Sequence, residues 1–370
     1  MIKRLFGILL ILVLILWSKP LWGPAFQDKI PTQARGMIDS LESLVTGAIP
    51  QELEITNLLA KWKTVVGEIE TPKQETADEI ELEAPEKQSI SVGNVELGDT
   101  KDDVEKTYGD PEAESENEYG VNWSTYHENY HNFIMVAFND EGIVQGLFTN
   151  QDLLSTDFDI SFDDEKKKVN EKLGESKDVI RNGWLNYRVN SDGEYDVYEF
   201  DGNLVTFFYD IHDEDRVTAV QIISDQLESS RETFYTASSE ALQKGFEEQL
   251  FDLTNAARVK HDLPVLDWNE DVSDTARNHS KDMVENQFFS HTNLEGESAA
   301  DRMRDDQISF TSAGENLAYG QSSSIFAHQG LMNSAGHREN ILQHGYTELG
   351  TGIAFDDDNQ PFYTENFLKR

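Results

Sequence analysis

The sequence predicts an α+β protein in which two folded regions follow an apolar N-terminal helix. Three observations carry that expectation. Between residues 90 and 225 a short strand, an acidic turn, a helix and a set of alternating strands occur twice, at a period of roughly 65 residues, too long for the usual solenoid repeats. Between Phe246 and Met283 apolar residues recur at helical spacing. Glycine-punctuated alternating segments then close the chain. With 370 residues there is room for two or three domains.

The first segment is residues 1–23. Lys3 and Arg4 precede an unbroken apolar run from Leu5 to Trp17, and Lys19, Pro20, Leu21 and Trp22 follow. A basic start and a short apolar stretch make an export signal. The run is shorter than the ~20 residues that span a bilayer comfortably. No small-x-small cleavage site follows it, so an uncleaved signal-anchor is favoured over a cleaved signal peptide. Positive charge held inside places the rest of the chain outside. Residues 24–67 are expected to form a helical stalk, since Met37, Leu41, Leu44 and Val45 recur at three- and four-residue spacing. Residues 68–89 are dense in acid, carry Pro72 and Pro85 and few large apolar groups, and read as a solvated linker.

Residues 90–228 hold the duplication. In the first copy the helix carries Val104 and Tyr108 and stops at Gly109; in the second it carries Val169 and Leu173 and stops at Gly174, glycine being a frequent helix terminator. The strands that follow are rich in aromatic and branched residues, as in Phe133 to Phe138 and Leu204 to Tyr209, with turns at Asp140-Glu141-Gly142 and Asp201-Gly202-Asn203. Two α+β halves packed as one domain satisfy this pattern. His127 and His131 flank a short segment between strands, which argues for a surface loop over the helical pair that would bind a metal. Residues 229–244 read as a polar, helical connector.

Residues 245–370 form the last region. Phe246, Leu250, Leu253 and Ala257 lie on one helix face, and His261-Asp262-Leu263-Pro264 ends that helix. Val272, Ala276, His279 and Met283 share a face of a second helix, which makes His279 a packing residue. Gly350 and Gly352 mark a tight strand of a central sheet, and Phe362 to Phe367 a final strand.

Composition narrows the functions. Seventy acidic residues against thirty basic ones give a net charge of −40. A phosphate backbone is bound through Lys/Arg patches, so nucleic acid is excluded as a partner. Anionic lipid is disfavoured by the same argument, which leaves the N-terminal segment as the only route to a membrane. There is no cysteine. Disulfides, thiolate metal sites and a cysteine nucleophile are therefore absent, which fits an exported protein of a single-membrane bacterium.

Chemistry concentrates in residues 288–342. His291, Glu315 and His337 are isolated polar residues bracketed by apolar or small ones, and two of them directly follow a glycine (Gly314, Gly336). Two imidazoles and one carboxylate make an open three-ligand set for a divalent cation, zinc or calcium. Asn293, Asn316 or Ser334 are candidates to hold those ligands by hydrogen bonds. The competing reading, given equal weight, is a His–Glu–His hydrogen-bond network that stabilises the cleft. Arg338, next to His337, is expected to pair with an acid and pin its loop. His328 and His344 read as surface or helix-end groups.

The segments FFSHTN, AGENLAYG, MNSAGHRENIL, TELGTGIAF and FYTENF, after the helix that begins FDLTNAARVK, occur in the order seen in the CAP superfamily (cysteine-rich secretory, antigen 5 and pathogenesis-related 1 proteins). Residues 245–370 resemble that family, which implies a three-layer α/β/α sandwich. Residues 90–228 resemble the CAP-associated domain that precedes extracellular CAP domains in Gram-positive bacteria. The family's cleft holds two His and two Glu. The resemblance assigns His291, Glu315 and His337 to three of these positions. Ser334 stands where the second Glu would be, so the tetrad is incomplete. Leu331 stands where a Trp is common, and Glu365 where a Gln is common.

The function expected is a non-catalytic binding module at the extracellular face of the plasma membrane, or secreted if the N-terminal segment is cut. Its ligand would be a cell-envelope component, a lipid or a peptide. A metal-assisted hydrolase using the same cleft is the alternative. No Gly-x-Ser-x-Gly or His-Glu-x-x-His motif supports catalysis, so no catalytic residue is assigned.

Overall fold

The computed structural model describes residues 77–370 apart from 79, 183 and 184. The expected signal-anchor, stalk and first part of the linker lie outside the described residues. Gln74 to Arg370 forms one compact unit. Its elements are β1 (Ile90–Val92), α1 (Lys101–Tyr108), β2 (Ala113–Glu116), β3 (Asn122–Glu128), β4 (His131–Phe138), β5 (Val144–Thr149), β6 (Leu154–Thr156), α2 (Lys166–Leu173), β7 (Val179–Asn182), β8 (Leu185–Arg188), β9 (Tyr195–Phe200), β10 (Asn203–Asp210), β11 (Arg216–Ile223) and α3 (Asp225–Ser229). The C-terminal part adds α4 (Glu240–Lys260), β12 (Asp267–Trp268), α5 (Glu270–Asn286), α6 (Ala299–Asp305), β13 (Ser312–Tyr319), α7 (Ser324–Asn333), α8 (Ala335–Ile341), β14 (Glu348–Phe355) and β15 (Pro361–Lys369).

The duplication folds as one sheet. Its seven strands run β2-β3-β4-β5-β11-β10-β9, so the last strand of each half meets at the centre, with Val220 opposite Thr149. Both helices stop where the glycines predict: the N–H of Gly109 donates to Glu105 O and that of Gly174 to Asn170 O, each glycine at positive φ. One sheet face, with Ile134, Val136 and Phe207, packs with Val104 and Val169 of the two helices. The opposite face, with Phe133, Met135 and Phe208, packs on Leu253 and Ala256 of α4 and Ile325 of α7. A sheet covered on both sides needs apolar residues on both sides, which is why Phe133 to Phe138 reads as a run without alternation.

The C-terminal sheet has the order β12-β14-β15-β13. Phe246 and Leu250 of α4 and Ala327 and Leu331 of α7 cover one face through Ile353, Tyr363 and Phe367. Helix α5 covers the other. It lies so close to β14 that a Cβ at Gly350 would fall 2.3 Å from Ser273 N, and one at Gly352 2.0 Å from Arg277 N. The expected three-layer α/β/α sandwich is present.

Four expectations need correction. The end of the presumed linker is not solvated: Ile80 and Leu82 pack on the first core, and the N–H groups of Glu86, Lys87 and Gln88 donate to the buried carboxylate of Glu96. The connector is not helical throughout, because α4 starts at Glu240, capped by the Ser239 hydroxyl that accepts from Leu242 N at 2.9 Å. His127 and His131 lie in strands that meet in a tight hairpin, and His127 stacks on Tyr130 with ring centroids 4.1 Å apart. His328 is fully buried, because α7 is sandwiched between the C-terminal sheet and the N-terminal one. His279 is buried and His344 exposed, as expected.

Candidate functional site

Three separate segments converge at the middle of β13. This strand holds Glu315 and Asn316 within hydrogen-bonded register of β15, where Asn316 faces Glu365. His291 sits in the loop after α5, and that loop is tied down by His279, whose Nε2 lies 3.0 Å from Ser290 O. His337 sits in the short helix α8. The structure brings His291, Glu315 and His337 together: His291 Nδ1 is 2.9 Å from Glu315 Oε1, and the two imidazole centroids are 6.4 Å apart. Burial, and then the neighbouring His291, hold the His337 imidazole below the ordinary histidine pKa.

Arg302 of α6 adds a partner that spacing did not reveal. Its Nη2 donates to Glu315 Oε2 at 2.5 Å, and its Nη1 to the carbonyls of His291 at 3.2 Å and Glu297 at 3.0 Å. Helix α6 is set by a capping box, in which Ser298 and Asp301 bond each other's backbone. Nothing in a single sequence links the motif DRMRDD to Glu315, so this residue had no readable signal.

Asn316 is buried and works behind the cleft. Its Nδ2 donates to Glu365 Oε2 at 2.9 Å and to His337 O at 3.1 Å, while its Oδ1 accepts from Asn340 Nδ2 at 2.9 Å. Asn340 also donates to Glu315 O at 3.1 Å. Thr254 Oγ1 closes the chain on Glu365 Oε1 at 2.7 Å. Burial pushes the Glu365 carboxyl up to about 7. The network thus fixes the backbone on both sides of the histidines. Ser334 links α7 to α8 without a side-chain cap bond, and Asn293 bonds Glu297 in its own loop.

Those contacts bear on the expected cation set. Both oxygens of Glu315 are engaged, one by an imidazole and one by a guanidinium. A cation bound to Glu315 would sit beside the charge of Arg302 and displace one of these bonds. Among the described residues no group of three or more His, Cys, Asp or Glu side chains is placed to hold a metal ion. As arranged, the Glu315 carboxylate is already engaged by His291 and Arg302. The carboxylate accepts from Nδ1 of His291.

Comparison with known proteins agrees with this fold. A family model described as the Cysteine-rich secretory protein family, CAP, matches residues 251–367, and one described as CAP-associated N-terminal matches residues 97–234. The chain is 28% identical over 302 residues to the uncharacterized membrane protein YlbC of Bacillus subtilis, covering 74% of this chain and 82% of that protein. It is 34% identical over 140 residues to YkwD of the same bacterium, covering 38% of this chain and 53% of that one. An extracellular protein of Bacillus anthracis containing a SCP domain has a similar solved structure, with TM-score 0.64, 24% identity, and coverage of 82% of this chain and 100% of that one. A cysteine-rich secretory protein of Staphylococcus aureus follows, with TM-score 0.59, 14% identity, and coverage of 78% and 95%. At those identities the two structures speak for the fold. No helix among the described residues is long and apolar enough to cross a membrane. Residues 251–367 are a CAP domain of the cysteine-rich secretory protein family, preceded at residues 97–234 by a CAP-associated domain.

Proposed function

We propose that the chain is a non-catalytic binding module of the cell envelope, held at the outer face of the plasma membrane by its N-terminal segment. One observation supports this reading above the hydrolase: the Glu315 carboxylate, the acid on which water activation in the cleft would rest, is locked between Arg302 and His291. The residue that would complete an acidic tetrad is Ser334. The half-exposed His291 side chain and the His337 imidazole are then recognition groups for an envelope ligand. The names of the relatives, a membrane protein and an extracellular protein, favour the location.

The test uses the full chain in membranes and with isolated envelope material. External protease should degrade it in intact cells, and it should sediment with cell-wall fragments. Casein and peptidoglycan should remain uncut with zinc, with calcium and with a chelator. Turnover that disappears in Glu315→Gln would establish the hydrolase instead.

A further inference from the structure

A second concave site lies where the two domains meet. It has a volume of about 520 Å³, within the ~300–1,000 Å³ usual for ligand pockets, which favour domain junctions. None of His291, Glu315 and His337 lines it. Its floor is the β9-β10-β11 part of the seven-stranded sheet, with Val197, Leu204, Phe208 and Ile223. Its far wall is α7. The aromatic surface is built from both sides: the ring of Phe326 on α7 meets Tyr195 of β9 edge-on at 5.1 Å and Phe208 of β10 at 5.2 Å.

Two polar features inside it are unspent. Gln221 of β11 and Gln329 of α7 both line the cavity, are 3% and 5% exposed, and have side-chain Nε2 groups without a hydrogen-bond partner among the described residues. Buried donors are nearly always satisfied, so two at one cavity point to a partner that supplies acceptors. Asp192 and the half-buried Glu194 also line it, and neither carboxylate has an ion-pair or hydrogen-bond partner among the described residues. Burial and then the charge of Asp192 raise the Glu194 carboxyl. Arg188 and Arg231 line it as well, Arg231 lying over the Tyr119, Tyr187 and Phe234 rings, and a neutral sugar leaves the acidic pair unmatched.

We propose that this interdomain cavity binds an extended peptide segment carrying a lysine or arginine. Main-chain carbonyls of the peptide accept from Gln221 and Gln329, an apolar side chain lies against Tyr195 and Phe326, and the basic group reaches Asp192 and Glu194. Specificity comes from the charge pair, and both domains contribute, so neither would bind alone.

The test is fluorescence anisotropy on the full chain with a fluorescein-labelled, end-blocked pentapeptide, Ala-Tyr-Lys-Tyr-Ala, and its counterpart with Glu for Lys. Salt at about 150 mM suppresses loose attraction to the acidic surface. The Lys peptide should bind at least about tenfold more tightly than the Glu peptide. Asp192→Asn with Glu194→Gln should weaken it by about the same factor. Gly330→Phe should abolish binding by filling the cavity; a Cβ there meets nothing nearer than 3.9 Å, so the helix accommodates it, and an unchanged melting curve checks that it does. No binding of the Lys peptide would overturn the proposal, as would binding that survives Gly330→Phe. Displacement of the peptide by an N-acetylglucosamine tetramer would reassign the cavity to glycan.

Discussion

The guanidinium of Arg302 lies 2.5 Å from the Glu315 carboxylate, and the two side chains are only 9% and 4% exposed. This pair decides the character of the cleft. It keeps an anion that is out of water neutralised from within the chain. It also means that any cation must compete with a covalently tethered one at very high effective concentration.

Arg302→Met tests that competition. Removing one partner of a buried ion pair costs about 3–5 kcal/mol, because the other charge stays buried. The variant should therefore melt well below the wild type in the presence of a chelator. It should regain part of the loss when zinc is added, since His291, Glu315 and His337 can then share the ion. Calorimetric titration should show zinc uptake stronger than in the wild type. A variant as stable as the wild type would show that the pair contributes nothing.

Much of this was legible in the sequence, and the reasons are physical. Local signals found the two glycine-terminated helices, the tight approach at Gly350 and Gly352, and the packing role of His279. Three segments of the cleft were found because each holds an isolated polar residue in an apolar setting. What escaped was set by tertiary placement. Arg302 looks like any surface residue of an acidic helix. His328 looked exposed because the second layer covering α7 comes from residues more than a hundred positions away. The linker residues 80–89 were misread because their anchors, the Glu96 carboxylate, Asn94 and the core under Ile80 and Leu82, lie outside the segment, where its own composition cannot reveal them.

The expected pin at Arg338 exists, and its acid comes from the other domain. Arg338 Nη2 is 2.7 Å from Asp210 Oδ2 at the end of β10. Beside it, Asn333 Nδ2 donates to Tyr209 O at 3.0 Å, and His212 Nε2 lies 2.8 Å from Asn333 O. The CAP-associated domain thus grips the corner that carries His337. Asp210→Asn should cost about 1–3 kcal/mol, as for a largely buried charged hydrogen bond. Amide exchange should quicken at residues 333–338 while that of α5 is unchanged. Equal exchange throughout would show that the domains do not brace the cleft. A double-mutant cycle with Arg338→Met measures the coupling.

Glu365 sets a pH dependence. Its carboxyl is fully buried and held up to about 7 by that burial. The folded chain keeps a proton that the unfolded chain releases above about 4.5. Its contribution to stability is therefore full below that value, declines as the pH rises to about 7, and is constant above. Glu365→Gln removes the titration. The new amide can donate to Thr254 Oγ1 while its oxygen accepts from Asn316 Nδ2, so both present bonds have counterparts. The variant should gain up to about 3 kcal/mol at pH 8 and nothing at pH 4. Denaturant unfolding at the two pH values checks it. Part of the slope should persist, because burial also raises Glu118 and Asp252 to about 7. An unchanged slope would mean that Glu365 is ionised in the folded chain at neutral pH.

His328 acts in the opposite direction. It is fully buried in α7, and among the described residues neither ring nitrogen has a partner. Burial lowers its pKa to about 3. The ring is neutral in the folded chain, whereas the unfolded chain takes up a proton below about 6.5. Stability from this group is thus present above that pH and is lost as the pH falls toward 3. His328→Leu removes both the acid loss and the unpaired nitrogens, at similar volume. It should match or exceed the wild type by about 1 kcal/mol at pH 7.5. The advantage should widen by about 1.4 kcal/mol for each pH unit below 6.5. Melting curves at pH 7.5 and 5 measure both. A variant that is less stable at both values would mean that the imidazole is hydrogen-bonded through water in the small cavity it shares with Lys260 and Asn333, and that its burial at the domain seam is a working contact.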